Sequence, residues 1–227
     1  MNNKYNQNIK SGMKLYKFRS LGSCLDLDRI EDIINNGFYC NDFLGFNDMN
    51  EGIYTHLGET PIPLSEKQNF KICSFSGEHA LRCELMWGHY ANAGKGVAIE
   101  VELDNSNKNN IIQVKYHHKN PNFNGSNEKN LEEILSNKSP IWCYEDEYRY
   151  LSTNQLEDNK VKIGITKIIL GTPYESLSNY NDIKQNHTAL KEYHKYRDKL
   201  KSICGDFGIK IAYEDMKFDK MDFRYCF

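Results

Sequence analysis

The chain has 227 residues, 39% hydrophobic and 26% charged, enough for one sizeable core. Its formal net charge of −2 excludes recruitment of nucleic acid by a global basic field, and no apolar run reaches the roughly 20 residues of a membrane span. Seven scattered cysteines without Cys-x-x-Cys spacing exclude the usual zinc and redox motifs and predict reduced thiols in a cytoplasmic protein, and the polar opening Met1 to Gln7 carries no signal-peptide pattern.

Residues 1–12 are polar and predict a loose arm; residues 13–227 predict a single domain. Met13 to Arg19 reads as a strand, with Leu15, Lys17 and Arg19 on one face and Tyr16 and Phe18 on the other. A short helix over Asp28 to Gly37 follows, with Asp26 or Asp28 as cap and Gly37 as left-handed stop. Asn41 to Gly52 is loop-like and residues 56–68 should be irregular. Lys71 to Ser76 predicts a strand, Glu78 to Ala93 a helix, and Val97 to Leu103 a strand paired antiparallel with Ile111 to Tyr116. Asn130 to Asn137 suggests a short helix. Ile141 to Tyr150 reads as a strand with Trp142, Tyr144, Asp146, Tyr148 and Tyr150 on one face and Cys143, Glu145, Glu147 and Arg149 on the other. Val161 to Leu170 predicts a central strand, Thr172 to Asn186 a loop, Leu190 to Cys204 a helix, and Ile209 to Tyr213 a last strand. The expected class is α+β, with a mainly antiparallel, split sheet and flanking helices.

Five stretches carry candidate chemistry. Leu15-Tyr16-Lys17-Phe18-Arg19 can aim a planar cationic fork into a cleft, or simply form an edge strand with solvated cations. Phe46-Asn47-Asp48-Met49-Asn50-Glu51 gathers acids and amides, but lacks calcium-loop spacing and suits an Asx turn. Ser74-Phe75-Ser76 places two hydroxyls on one face without a nucleophile elbow. Trp87, His89 and Tyr90 lie within a helical pattern, with no second histidine at metal-ligand spacing. Glu145, Glu147 and Arg149 align two carboxylates and a guanidinium, either as a charged solvated face or as a catalytic pair. The expected cleft brings together Tyr16, Asn47, Ser74, Trp87, His89 and Glu147, and no metal is expected.

In this order the stretches resemble a large uncharacterised bacterial family, a domain of unknown function. Its pattern runs Leu-Tyr-Lys-Tyr/Phe-Arg, Phe-Asn-Asp-Pro-x-Glu, Cys/Ser-Phe-Ser, Leu-Met-Trp-x-His-Tyr-Ala and Trp-x-Tyr-Glu-x-Glu-Tyr-Arg. Met49 stands where that family usually has proline. The order Arg19, Ser74-x-Ser76, Glu145-x-Glu147 is also similar to the Arg–Ser–Glu signature of ADP-ribosyltransferases. That resemblance implies NAD as substrate. Arg19 would contact its phosphates or ribose, Ser74 the nicotinamide ribose, and Glu147 the oxocarbenium-like state, with Glu145 on the acceptor side. Tyr16, Lys17, Asn47, Asp48, Glu51, Ser76, Trp87, His89, Tyr90 and Arg149 would complete the binding surface. The implied protein is a toxin or anti-phage effector that modifies a protein or nucleic acid or hydrolyses NAD, with a neutralising partner protein and no membrane. Two alternatives stand beside it. One is a non-enzymatic nucleotide-binding or interaction module. The other is a magnesium-dependent nuclease or hydrolase using Asp48, Glu51, Glu145 and Glu147.

Overall fold

Alternating apolar residues in seven strands form one sheet in a computed structural model that describes residues 9–57, 61–123, 128–175 and 177–214. Most of the predicted arm, residues 1–8, and Cys226 lie outside the described residues. The elements begin with β1 (Lys14–Ser20), α1 (Cys24–Asn36), β2 (Phe38–Tyr39), β3 (Thr55–His56), α2 (Leu64–Gln68) and β4 (Lys71–Ser76). They continue with α3 (Glu78–Leu81), α4 (Glu84–Tyr90), β5 (Gly96–Glu102), β6 (Ile111–Gln113), β7 (Lys115–Tyr116), β8 (Asn122–Phe123), α5 (Glu128–Ile134) and β9 (Asn137–Lys138). The last are β10 (Glu147–Ser152), β11 (Lys160–Val161), β12 (Gly164–Leu170), α6 (Tyr180–Asn186), α7 (Thr188–Asp206) and β13 (Lys210–Tyr213). The main sheet has the order β13-β12-β5-β1-β4-β10-β6. Every neighbouring pair in it is antiparallel except β12 with β13, so the class is α+β with a mostly antiparallel sheet.

The strand registers sort the side chains onto two faces. On the first, Leu15, Phe75, Ile99 and Ile168 pack under Ile30 and Ile33 of α1 and Leu190, Tyr193 and Leu200 of α7. On the second, Tyr16, Phe18 and Ala98 meet Met86 and Trp87 of α4. Further along that face, Ile72, Ile112 and Leu151 meet Leu131 and Leu135. Ser74, Ser76, Glu147 and Arg149 fall on the second face between these two apolar clusters, as the register pairs Tyr16 with Ser76, Ser76 with Glu147 and Ser74 with Arg149.

The sheet is split. β1 and β4 pair only at Tyr16 and Ser76. Beyond that point the Ser74 carbonyl accepts a hydrogen bond from the Lys17 ammonium at 2.5 Å rather than from a neighbouring strand's backbone. The cleft opens where the two strands part.

Several elements differ from the sequence reading. The strand expected over 141–150 begins only at Glu147, and Pro140–Glu145 is a 3-10 turn. Proline presets φ for such a turn, and Asp146, at φ 44, takes the left-handed conformation that aspartate tolerates. Trp142 is therefore half-buried instead of sitting in a core. The expected pairing of Val97–Leu103 with Ile111–Tyr116 does not form, and β6 pairs with β10. The Asp104 carboxylate accepts the backbone N–H groups of Ser106 and Asn107, and this turn leads the chain away from β5. The helix expected over 78–93 breaks at Arg82 and Cys83 into α3 and α4. Val161 to Leu170 is two strands, β11 paired with β2 and β12 with β5. Ser23 caps α1, since the Asp26 carboxylate is engaged by Ser20 Oγ and the Gly22 N–H.

Candidate functional site

A cavity of 340 Å³ opens at the split. Lys17 and Arg19 of β1 line it on one side, and Ser74 and Ser76 of β4 on the other. Tyr39, Asn41, Phe46, Asn47 and Tyr90 form more of the wall, with Lys138, Glu145 and Glu147 at the carboxylate end. By register, Lys17 and Arg19 belong to the opposite sheet face from Ser74 and Glu147. The two sets share a cavity because the strands carrying them separate.

The carboxylate end is a chain of alternating charges. Arg149, fully buried, uses all five of its N–H donors. It forks onto Glu51 at 2.5 and 2.9 Å and onto Glu147 at 2.8 and 3.0 Å, and donates to the Leu135 carbonyl. Phe46 covers the guanidinium, whose carbon lies 5.0 Å from the ring centre. Glu147 accepts in addition from Ser74 Oγ at 2.5 Å and from Lys138 Nζ at 3.3 Å. Lys138 also holds Glu145 at 2.5 Å and sits 4.8 Å above the Trp142 ring. The second Glu145 oxygen accepts from the Tyr90 hydroxyl at 2.5 Å.

The two carboxyl groups are driven apart. Burial pushes Glu147 up, but the charges of Arg149 and Lys138 outweigh it and bring the group down to about 2. Burial pushes Glu145 up, and the nearby Glu147 charge adds to this, so that Lys138 does not restore the ordinary value. Opposed environments of this kind give neighbouring carboxyl groups different roles at one pH. At the other end, burial lowers the proton affinity of both Lys17 and Arg19. Neither has a carboxylate within salt-bridge distance among the described residues, and their hydrogen bonds go to the carbonyls of Ser74 and Phe18.

Of the residues singled out from sequence, Tyr16, Lys17, Arg19, Asn47, Ser74, Ser76, Tyr90, Glu145 and Glu147 line the cavity. Five do not. Trp87 is core, donating Nε1–H to the Leu81 carbonyl and meeting Phe18 edge to face. His89 is exposed beside the Tyr144 hydroxyl. Asp48 caps its own turn through the Asn50 N–H. Glu51 and Arg149 are a buried ion pair behind the cavity, so Arg149 does not face the cleft as its strand position had suggested. The acids named for magnesium thus do not converge, and among the described residues no group of three or more His, Cys, Asp or Glu is placed to hold a metal ion. Lys138 was missed. A single lysine in a two-residue strand carries no sequence signal; the parallel pairing of β9 with β7 places it.

A profile of the family described as "Protein of unknown function (DUF2971)" matches residues 86–150, a span that includes α4 from Met86 onward, Lys138, Glu145, Glu147 and Arg149. The chain is similar to that family over this segment. No curated protein and no solved structure matches the chain. Among the described residues no helix is long and apolar enough to cross a membrane.

Proposed function

We propose that the cleft binds a dinucleotide of the NAD class and that its carboxylate end breaks the bond between nicotinamide and ribose. One observation carries this reading. A single cavity holds two cations without carboxylate partners at one end and two carboxyl groups of opposed proton affinity at the other. Lys17 and Arg19 suit the diphosphate, since Arg presents a planar fork to phosphate oxygens and Lys a point charge. Tyr16, Phe46 and Tyr90 offer aromatic surface to a base.

In the proposed reaction the C1′–N bond breaks with its electron pair going to the pyridinium ring. Nicotinamide leaves neutral and needs no proton. The positive charge that develops on the ribose is stabilised by Glu147, which is ionised at neutral pH and oriented by Ser74 and Arg149. Glu145, with its raised proton affinity, takes the proton of the attacking nucleophile, whether water or a hydroxyl, amine or carboxyl group of a macromolecule. Water gives ADP-ribose. A macromolecular nucleophile gives ADP-ribosylation, the chemistry of a toxin or defence effector.

A second reading has its own observation. Each Glu147 oxygen already accepts two hydrogen bonds from the protein, an arrangement that also fits a rigid nucleotide-binding module without turnover. One experiment separates the two. Purified protein is incubated with NAD, with and without cell lysate, while nicotinamide release and ADP-ribose attachment are followed. Release or attachment supports the enzyme. NAD binding without either supports the module. Absence of both binding and turnover rejects both readings.

A further inference from the structure

We propose that Cys40 and Cys73 close a reversible disulfide across the wall of the cleft, making this pair an oxidative modification site. Asn41 and Ile72 form an antiparallel bridge in which each backbone N–H reaches the other's carbonyl, at 2.9 and 2.7 Å. The residues one step along, Cys40 and Cys73, therefore face each other as a non-hydrogen-bonded cross-strand pair. Such pairs bring Cα atoms to about 4.5 Å with both side chains on one face, inside the range a disulfide spans. Both cysteines are free thiols, and both lie in the same buried apolar cluster on the first sheet face. Their relative exposures are 1% and 2%, which shields them from bulk solvent, but Cys73 lines the cleft and is reached through it.

The surroundings divide the labour between the two sulfurs. Interaction with the neighbouring Cys40 thiol, with help from the Lys17 and Arg19 charges, brings the Cys73 thiol down against the cost of burial. Cys40, whose thiol donates to the Phe38 carbonyl at 3.7 Å, is pushed up by its interaction with Cys73 and by burial. Cys73 is thus the nucleophile and Cys40 the resolving thiol. With a small hydroperoxide as oxidant, the Cys73 thiolate attacks one peroxide oxygen. The O–O bond breaks, and the departing oxygen leaves as water or alcohol after taking a proton. Cys73 is now a sulfenic acid. Cys40 sulfur then attacks Cys73 sulfur, the S–O bond breaks, and water leaves with the Cys40 proton. Two thiols are oxidised by two electrons and one peroxide is reduced. A dithiol reductant reverses the change. This proposal is independent of what the cleft binds.

The test is peptide mapping of the intact protein. Folded protein is treated with hydrogen peroxide, quenched, denatured, alkylated and digested with trypsin. The expected product joins Ile30–Lys67 to Ile72–Arg82, two hydrogens lighter than the separate peptides, and it disappears after treatment with dithiothreitol. In Cys40→Ser the reaction should stop at a Cys73 sulfenic acid that a cyclic-dione probe captures. In Cys73→Ser, Cys40 should remain a thiol. Wild-type Cys73 that still alkylates fully after peroxide would overturn the proposal. So would a cross-link joining either residue to Cys24, Cys83, Cys143, Cys204 or Cys226.

Discussion

Two carboxylates on the same sheet face, Glu100 and Glu147, have the same side-chain exposure of 3% and opposite kinds of partner. Glu100 is held by Lys14 at 3.1 Å, Lys167 at 3.2 Å and Thr166 at 2.7 Å, and its cations are 47% and 32% exposed. Glu147 is held by Arg149 and Lys138, whose exposures are 0% and 5%. The burial of the partners separates the two clusters. Flexible lysines reaching in from solvent can be lost to water at little cost. Cations without access to water cannot, because removing one strands the charge it neutralised. A fixed charge beside a cavity results only at Glu147.

The sharpest way to break this comparison is Arg149→Met. It leaves Glu51 and Glu147 buried without their shared cation and should cost roughly 3–5 kcal/mol in urea denaturation. A loss below about 1 kcal/mol, the range of a surface pair, would erase the distinction from Glu100. Next in size, Glu147→Gln keeps the shape and removes the charge. Nicotinamide release should fall roughly 10²–10³-fold, the usual cost of one transition-state electrostatic contact. Equal turnover by this variant would leave the activity in place and move its site elsewhere. Glu145→Gln should lower transfer to an acceptor more than hydrolysis, read as the ratio of attached to free ADP-ribose.

Acid titration gives a smaller effect with a definite sign. The folded Glu147 carboxyl lies below its ordinary value of 4.5, so its contribution is complete above that pH and is lost as pH falls toward about 2. Wild-type stability should decline through this window, and Glu147→Gln should flatten the decline. Smallest of all, Lys167→Ala beside Glu100 should change stability by about 0–1 kcal/mol and lose even that at high salt. A thermal shift larger than the one caused by Arg149→Met would invert the ranking.

The alternation in Leu15 to Arg19, Lys71 to Ser76 and Val97 to Val101 made the middle of the sheet legible, since a period of two over apolar residues has few other structural solutions. Arg19, Ser74 and Glu147 line one cavity. The turn at Pro140–Glu145 was not legible: aromatic and acidic residues alternate there as they would in a strand, and the left-handed Asp146 that ends it leaves no local pattern. The roles of Glu51, Arg149 and Lys138 were equally hidden. Arg149 meets Glu51 across 98 residues, and Lys138 reaches Glu145 and Glu147 through the pairing of β9 with β7, and residue type alone encodes neither. The Cys40–Cys73 pair escaped for a similar reason, because its members stand 33 positions apart with β3 and α2 between them.

The single Tyr16–Ser76 pairing also shapes how the molecule moves. Four strands on one side and three on the other are zipped by long ladders, whereas the seam between them has little backbone bonding to open. Amide hydrogens of β1 beyond Tyr16 that point at the seam should exchange with deuterium sooner than those of β5 or β10, in keeping with local opening at lower free energy than global unfolding. A ligand that touches Lys17 on one strand and Glu145 on the far side acts as a staple across the seam. Its arrival should be recorded as slowed exchange along β4, before any product is formed.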